Sequence, residues 1–333
     1  MSTSVKHITN TQRGAPQISG TAGTLIAALD ALFTTGWGAT TALSVTVSGG
    51  IATAALTPGQ SFDRDAVVLI AGETPGALNG EARVLSTGAA FITWATSAPD
   101  GVATGTITIK YAPQTSWEKV FSATNKAVYR STDVTGNRHY LRVDDTGTTA
   151  ARVRGFEAMT DVDTGTGPFP TDAQVSGGGY WVKSSAANAT ANRYMIFCDE
   201  KAIIIAIAIG SGANASFLTA PARGFGDFIA LAISGDAWGT VLSASTGNTT
   251  QNNVAALDSA LPSSVHGFCA SPRAFSGLGG SVLGDSLPFT GLRNTESGSC
   301  NYLGAVPSPI SGKIHVSKLF IKPSGTGTPP RSE

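Results

Sequence analysis

The sequence predicts an all-β protein: a small N-terminal β-barrel or sandwich domain preceded by one helix, then a larger β-sandwich. Three observations carry that prediction. Apolar residues recur in short runs, alternating with polar ones in Leu43–Ser48. Glycine and proline, 40 and 16 of 333 residues, punctuate those runs every ten residues or so. Only one segment shows helical spacing. Short alternating runs between turn residues are the mark of half-buried strands, and a series of them is the mark of sandwiches and barrels.

The helical segment comes first. Between Gly20 and Trp37, Leu25, Ile26, Leu29, Leu32 and Phe33 fall on one stripe, Thr21 or Thr24 stands where a cap belongs, and Gly36 where a stop belongs. A polar arm with Val5 and His7 leads into it. A helix this early, after a polar arm, can cover the end of a β domain or dock on a neighbour; an arm followed by an amphipathic helix is a natural docking device, so Val5, His7, Leu25, Leu29, Leu32 and Phe33 are the candidate assembly anchor. On this reading, deletion up to Trp37 would abolish incorporation into an assembly and leave the β domains folded. Residues 1–39 form this arm and helix.

Residues 40–113 read as the small β domain. Leu43, Val45 and Val47 alternate with Ser44, Thr46 and Ser48, Gly49-Gly50 turns the chain into Ile51–Leu56, and Pro58-Gly59 turns it again. Val67–Ile70, Arg83–Ser86, Phe91–Trp94 and Thr104–Tyr111 complete it. Residues 114–323 read as the larger sandwich, with strands expected over Lys126–Ser131, His139–Asp144, Ala151–Ala158, Gly179–Lys183, Tyr194–Asp199, Lys201–Gly210, Phe228–Ile233, Trp238–Ser243, Val265–Ala270 and Lys313–Ile321. Residues 324–333, rich in Gly, Thr and Pro, read as a flexible tail.

Composition narrows the function. Charged residues are 13% of the chain, about half the usual ~25%, and Gly, Ala, Ser and Thr make up the difference. A surface so poor in charge is tolerable where partner subunits cover it. The 22 basic and 22 acidic residues cancel, which weakens self-repulsion and argues against direct nucleic-acid binding. No Lys/Arg cluster stands out. Cys198, Cys269 and Cys300 are few, odd in number and far apart, so they read as reduced thiols. The start of the chain lacks the apolar core of a secretory signal. The longest apolar run, Ala202–Ile209, is too short for a membrane span, which takes about 20 residues. Synthesis in the cytoplasm and solubility until assembly are expected.

The search for chemistry returns turn and core readings. Asp144-Asp145 and Asp161-Val-Asp163 space carboxylates as a calcium loop does, but neither completes such a loop, and Asp-x-Gly is ordinary turn chemistry. Gly177-Gly178-Gly179 and Arg223-Gly-Phe-Gly-Asp227 lack the strand-to-helix setting of a phosphate cradle. The four histidines are scattered, and no Gly-x-Ser-x-Gly elbow marks a nucleophile. No enzyme activity, cofactor or metal is expected. Tyr180, Trp181 and Trp238 are the candidate glycan contacts, since flat rings stack on sugars; rings on strands more often fill a core.

Several stretches carry a resemblance. Val5-Lys6-His7, Gly14-Ala15-Pro16, Ser19-Gly20-Thr21-Ala22-Gly23 and Leu25-Ile26-Ala27-Ala28-Leu29-Asp30 look like the start of a family of tailed-bacteriophage virion proteins. Val67 to Glu81, Trp117 to Ser122, Tyr140 to Thr146 and Met159 to Thr171 are similar to later parts of the same family. The resemblance implies a structural protein of the virion tail, at the baseplate or a fibre attachment, present in multiple copies. Its partners would be copies of itself and other phage structural proteins. A tail module that grips host-surface glycan and a head decoration protein are the alternatives.

Overall fold

The computed structural model describes residues 3–209, 222–227, 239–247, 267–273, 279–285, 305–307 and 314–316. Trp238, Cys300, the strand expected over 228–233 and the tail 324–333 lie outside the described residues.

The architecture is all-β. A short strand, β1 (Lys6–Thr9), precedes helix α1 (Thr24–Asp30). A first sheet follows, made of β2 (Trp37–Thr41), β3 (Ser44–Ser48), β4 (Ile51–Ala55), β5 (Val67–Ala71), β6 (Gly80–Gly88), β7 (Phe91–Ala95), β8 (Gly101–Val102) and β9 (Thr108–Tyr111). Its spatial order is β2-β9-β5-β6-β7-β4-β3-β8. The second sheet takes β10 (Trp117–Ala123), β11 (Lys126–Ser131), β12 (Tyr140–Asp144), β13 (Ala150–Met159), β14 (Gly165–Phe169), β15 (Gly179–Val182), β16 (Tyr194–Cys198), β17 (Ala202–Ile207), β18 (Ala222–Asp227), β19 (Thr240–Ser245), β20 (Gly267–Ser271) and β21 (Val282–Asp285). With β1 it has 13 strands among the described residues, in the order β1-β16-β17-β18-β19-β15-β13-β12-β11-β10, with β14 on β13 and β20-β21 continuing from β19. A separate hairpin pairs β22 (Ala305–Pro307) with β23 (Ile314–Val316). Both large sheets are antiparallel and curl into half-barrels, and no described helix is long and apolar enough to cross a membrane.

Alternation sets which face each strand buries. In β3 the buried residues are Val45 and Val47, in β4 Ala52 and Ala54, in β7 Ile92 and Trp94. Leu43, at the head of that alternation, precedes β3 and is 69% exposed. One continuous apolar cluster joins the two sheets and the helix, from Ile8, Leu25 and Phe33 through Val68 and Tyr111 to Tyr129, Trp181 and Phe225. Rings dominate its centre: Phe33 stacks on Trp117 with centroids 4.7 Å apart, and Trp37 on Tyr111 at 5.0 Å.

The helix is shorter than its apolar stripe. It begins at Thr24 and changes at Ala31–Thr35 into a π turn, closed where the Gly36 N–H donates to the Ala31 carbonyl at 2.9 Å. Neither threonine caps it. Thr24 Oγ1 donates to the Ser19 and Thr21 carbonyls instead. The first free N–H groups are satisfied from 120 residues away, where Asp145 Oδ2 accepts the N–H of Leu25 at 2.8 Å and of Ile26 at 3.4 Å. Asp145 is fully buried and ion-paired with Lys183, also fully buried, whose Nζ donates to the Thr21 carbonyl at 2.7 Å. The far end is held as firmly: Asp30 accepts from Tyr129 Oη at 2.8 Å and from Lys119 Nζ at 2.7 Å.

β1 spans the two sheets. It pairs with β16, Lys6 opposite Cys198 and Thr9 opposite Met195. The buried Lys6 Nζ reaches Glu81 Oε1 in β6 and the Pro113 carbonyl, each at 2.6 Å. The chain start, 1–39 in the sequence division, is thus divided in space: β1 joins the second sheet and β2 the first.

β1, β2, β8, β10, β14, β18, β21 and β22 lie outside the strands expected from the sequence, and two of them show why. β1 carries too few apolar residues to show a period. β18 contains the Arg-Gly-Phe-Gly-Asp stretch taken for a turn, yet Gly226 (φ 128°) lies against the Lys201 carbonyl, where a side chain would collide.

Lys183→Met should cost about 3–5 kcal/mol, the range for stripping one member from a buried pair and leaving the other charge uncompensated. Urea unfolding followed by far-UV circular dichroism measures it.

Candidate functional site

The outer face of the second sheet gathers a charged pocket. β12 and β13 each carry the pattern charged–Val–charged: Arg142-Val143-Asp144 and Arg152-Val153-Arg154. The valines are fully buried, so the flanking residues point outward. Antiparallel register sets Arg142 opposite Arg154 and Asp144 opposite Arg152. Two loops close the sides, 160–164 and 171–178. The result is an open pocket of about 370 Å³ lined by Arg142, Asp144, Arg152, Arg154, Phe156, Asp163 and Gly177.

Each guanidinium is held in place. Arg142 donates from Nε to the Val162 carbonyl at 2.9 Å, and pairs with Asp144 at 3.2 Å and with Asp163. Arg154 grips Asp172 through two nitrogens, at 2.6 and 3.2 Å. Arg152 donates to the Ser176 carbonyl and lies 3.9 Å above the centre of the Tyr180 ring. Lys126 grips both oxygens of Asp163, at 2.9 and 3.0 Å. The cations are the sheltered partners: side-chain exposure is 14% for Arg142 and 12% for Arg154, against 50% for Asp163 and 70% for Asp172. Arg154 together with the Gly177 N–H draws the Asp172 carboxyl down to about 2, and Arg142 with Lys126 lowers that of Asp163.

The carboxylates read as a calcium pattern are engaged elsewhere. Asp144 bonds Arg142 and the Thr146 hydroxyl, Asp145 is the buried partner of Lys183, and Asp161 accepts the N–H groups of Asp163 and Thr164. Among the described residues no group of three or more His, Cys, Asp or Glu is arranged to hold a metal.

A second polar chain runs through His139, Thr240 and Asp227. His139 Nδ1 is 2.7 Å from Thr240 Oγ1, which also contacts Asp227 Oδ1. An ionised carboxylate only accepts, so the Thr240 proton goes to Asp227 and the imidazole must donate to Thr240. That is the reverse of an imidazole withdrawing a proton from a nucleophile. Burial holds the His139 pKa below its ordinary value. Cys198 and Cys269 are free thiols whose pKa values burial raises, that of Cys269 to about 11; neither is a ready nucleophile.

The residues singled out as an assembly anchor are corrected by their burial. Leu25, Leu29 and Leu32 are 0% exposed and Phe33 1%, all within the chain's own core. The amphipathic stripe is real, but it faces this chain's sheets. His7, within β1, stacks on Phe197 of the paired β16 at 5.9 Å, and of the anchor candidates only Val5 keeps half its surface exposed. The glycan candidates change likewise. Trp181 is 1% exposed with Nε1–H bonded to the Ser243 carbonyl at 2.8 Å, so it can touch no sugar; Tyr180 is partly covered by Arg152; and Trp238 lies outside the described residues. Trp37, Trp94 and Trp117 are buried too.

The basic cluster absent from the linear order is made by strand pairing. Its signal was present in the i, i+2 spacing of Arg152 and Arg154 and of Arg142 and Asp144, but the pairing of the two segments was not.

Comparison with protein-family profiles, with curated proteins and with solved structures gave no match for this chain.

Two outcomes are expected. Deleting residues 1–36 should leave an aggregating or unfolded chain, visible as loss of the cooperative thermal transition, because it removes β1 and α1 from the core. Asp172 should titrate near 2, and Arg154→Gln should move its midpoint up toward the ordinary 3.8, read by carboxyl-carbon NMR. Since its folded pKa is depressed, whatever stability Asp172 adds is present above about 3.8 and is lost as pH falls toward 2.

Proposed function

We propose that this chain is a structural component of a tailed-phage virion, a tail or baseplate protein that assembles in multiple copies. The reading joins the sequence resemblance to one observation, the outer face of β3, β4 and β7. There the register makes a three-by-three grid: Ser44, Ala55 and Phe91; Thr46, Thr53 and Thr93; Ser48, Ile51 and Ala95. No member is charged. Phe91 is 41% and Ile51 37% exposed, and the nearby Val102 is 73% exposed.

A pleated face of small neutral residues can be covered without desolvating any charge, the costly part of forming an interface. A second copy supplies the same kind of face, as symmetric assembly requires. The surroundings support a scaffold role. The ionisable side chains of Asp145, Lys183, Lys6, Glu81, Asp30 and Lys119 are committed to internal ties. The His139 chain runs in the wrong sense for a nucleophile, which supports a non-enzymatic reading.

Light scattering on the purified full chain tests assembly. A defined multimer is expected, and Thr53→Glu, placing one charge at the centre of the grid, should weaken it at least about tenfold, or ~1.4 kcal/mol. A monomer at high concentration would count against the proposal. Antibody labelling of phage particles tests the location: signal at the tail supports it, signal on the capsid points to a head decoration protein, and absence from particles refutes it.

A further inference from the structure

We propose that the pocket floored by Arg142, Arg152 and Arg154 binds a small organic anion through its carboxylate or phosphate group. The inference is independent of how the chain assembles.

Three features of the pocket carry it. First, the guanidiniums are brought together by the sheet itself. Arg142 and Arg154 are directly opposite in a paired register, and Arg152 is two residues from Arg154 on the same face. Such an arrangement survives movement of the loops. Planar forks on a rigid strand pair suit the two or three oxygens of a carboxylate or phosphate. Second, the pairing is asymmetric. The cations line the floor and are largely sheltered, while two of their acid partners, Asp163 and Asp172, sit on exposed turns at the rim. Such carboxylates hold the site as stand-ins: an incoming oxyanion can take their place on the guanidiniums, and the released aspartates gain full hydration. Third, Arg154 keeps a donor in reserve. Its Nε–H is buried with no hydrogen-bond partner, a state that costs free energy until an acceptor arrives.

The dimensions limit the ligand. A pocket of about 370 Å³ is at the lower end of the range for small-molecule sites. Phe156 gives it one apolar wall, and the Arg152–Tyr180 stack borders it. A monosaccharide bearing one charged group is a fitting size. The ion pairs join three cations, Arg142, Arg154 and Lys126, to three carboxylates, Asp144, Asp163 and Asp172, and Arg152, held by the Ser176 carbonyl and the Tyr180 ring, is a fourth cation. One bound monoanion therefore balances the site.

Isothermal titration of the full chain with glucuronate, glucose 6-phosphate, inorganic phosphate and neutral glucose tests the proposal. Saturable binding of at least one of the three anions, with glucose silent, is expected; which anion binds most tightly separates the carboxylate from the phosphate source. Arg154→Gln should weaken that binding at least about tenfold, the usual loss for a charge-assisted contact. Asp172→Asn, on a side chain 70% exposed, should strengthen it several-fold by removing the competing carboxylate, and it keeps the test decisive if Arg154→Gln fails to fold. A purely structural ion-pair network predicts the opposite. No saturable anion binding, equal binding of glucose, or an Asp172→Asn protein that binds no better would overturn the proposal.

Discussion

The buried pair of Asp145 and Lys183 is the constraint on which the rest of the molecule turns. Its two charges are wholly withdrawn from water, a state tolerable only where every remaining oxygen and proton finds a partner. They find them in the N-terminal segment. Asp145 takes the first N–H groups of α1, and Lys183 takes the Thr21 carbonyl. Burial pushes the Asp145 carboxyl up and the Lys183 ammonium down from their ordinary values; the ion pair acts against both shifts, and the helix N–H groups act against that of Asp145. Without the N-terminal segment the pair would lose those partners. Without the pair the helix would start with buried donors unsatisfied.

That mutual dependence explains why the chain start is a core element. α1 has seven residues, too few to be stable alone in water, where about 12–15 are marginal. It exists because its apolar stripe is buried and both its ends are tied, at Asp145 and at Asp30. β1 extends the logic by pairing with the second sheet while Lys6 reaches into the first. The two half-barrels thus share one apolar cluster and a common polar clamp.

With the interior so committed, the surfaces carry what remains for function, and they differ in character. The grid on β3, β4 and β7 is neutral and suited to being covered by protein. The pocket on β12 and β13 is lined by sheltered guanidiniums and suited to a small anion. The faces belong to different sheets. A structural subunit with a small-anion site on another face follows from the two proposals taken together.

The sequence by itself determined the all-β class, the approximate positions of many strands and the apolar stripe of the helix, because period and turn residues are local properties. β11 runs from Lys126 to Ser131 as the sequence predicts, and Gly36 ends the helical segment where expected. Only the tertiary structure decided what those faces meet. Leu25, Leu29 and Phe33 carry the same pattern whether they dock on a partner or on their own sheets, and burial among Trp117 and Tyr129 chose the second. Trp181 is equally apolar on a sugar platform and in a core, until its indole N–H meets the Ser243 carbonyl. The arginine pocket needed Arg142 and Arg154 in one register, and Asp145 needed a helix 120 residues earlier in the chain. Pairings at such separations leave no periodic mark, since each segment satisfies its own local rules whatever its neighbour.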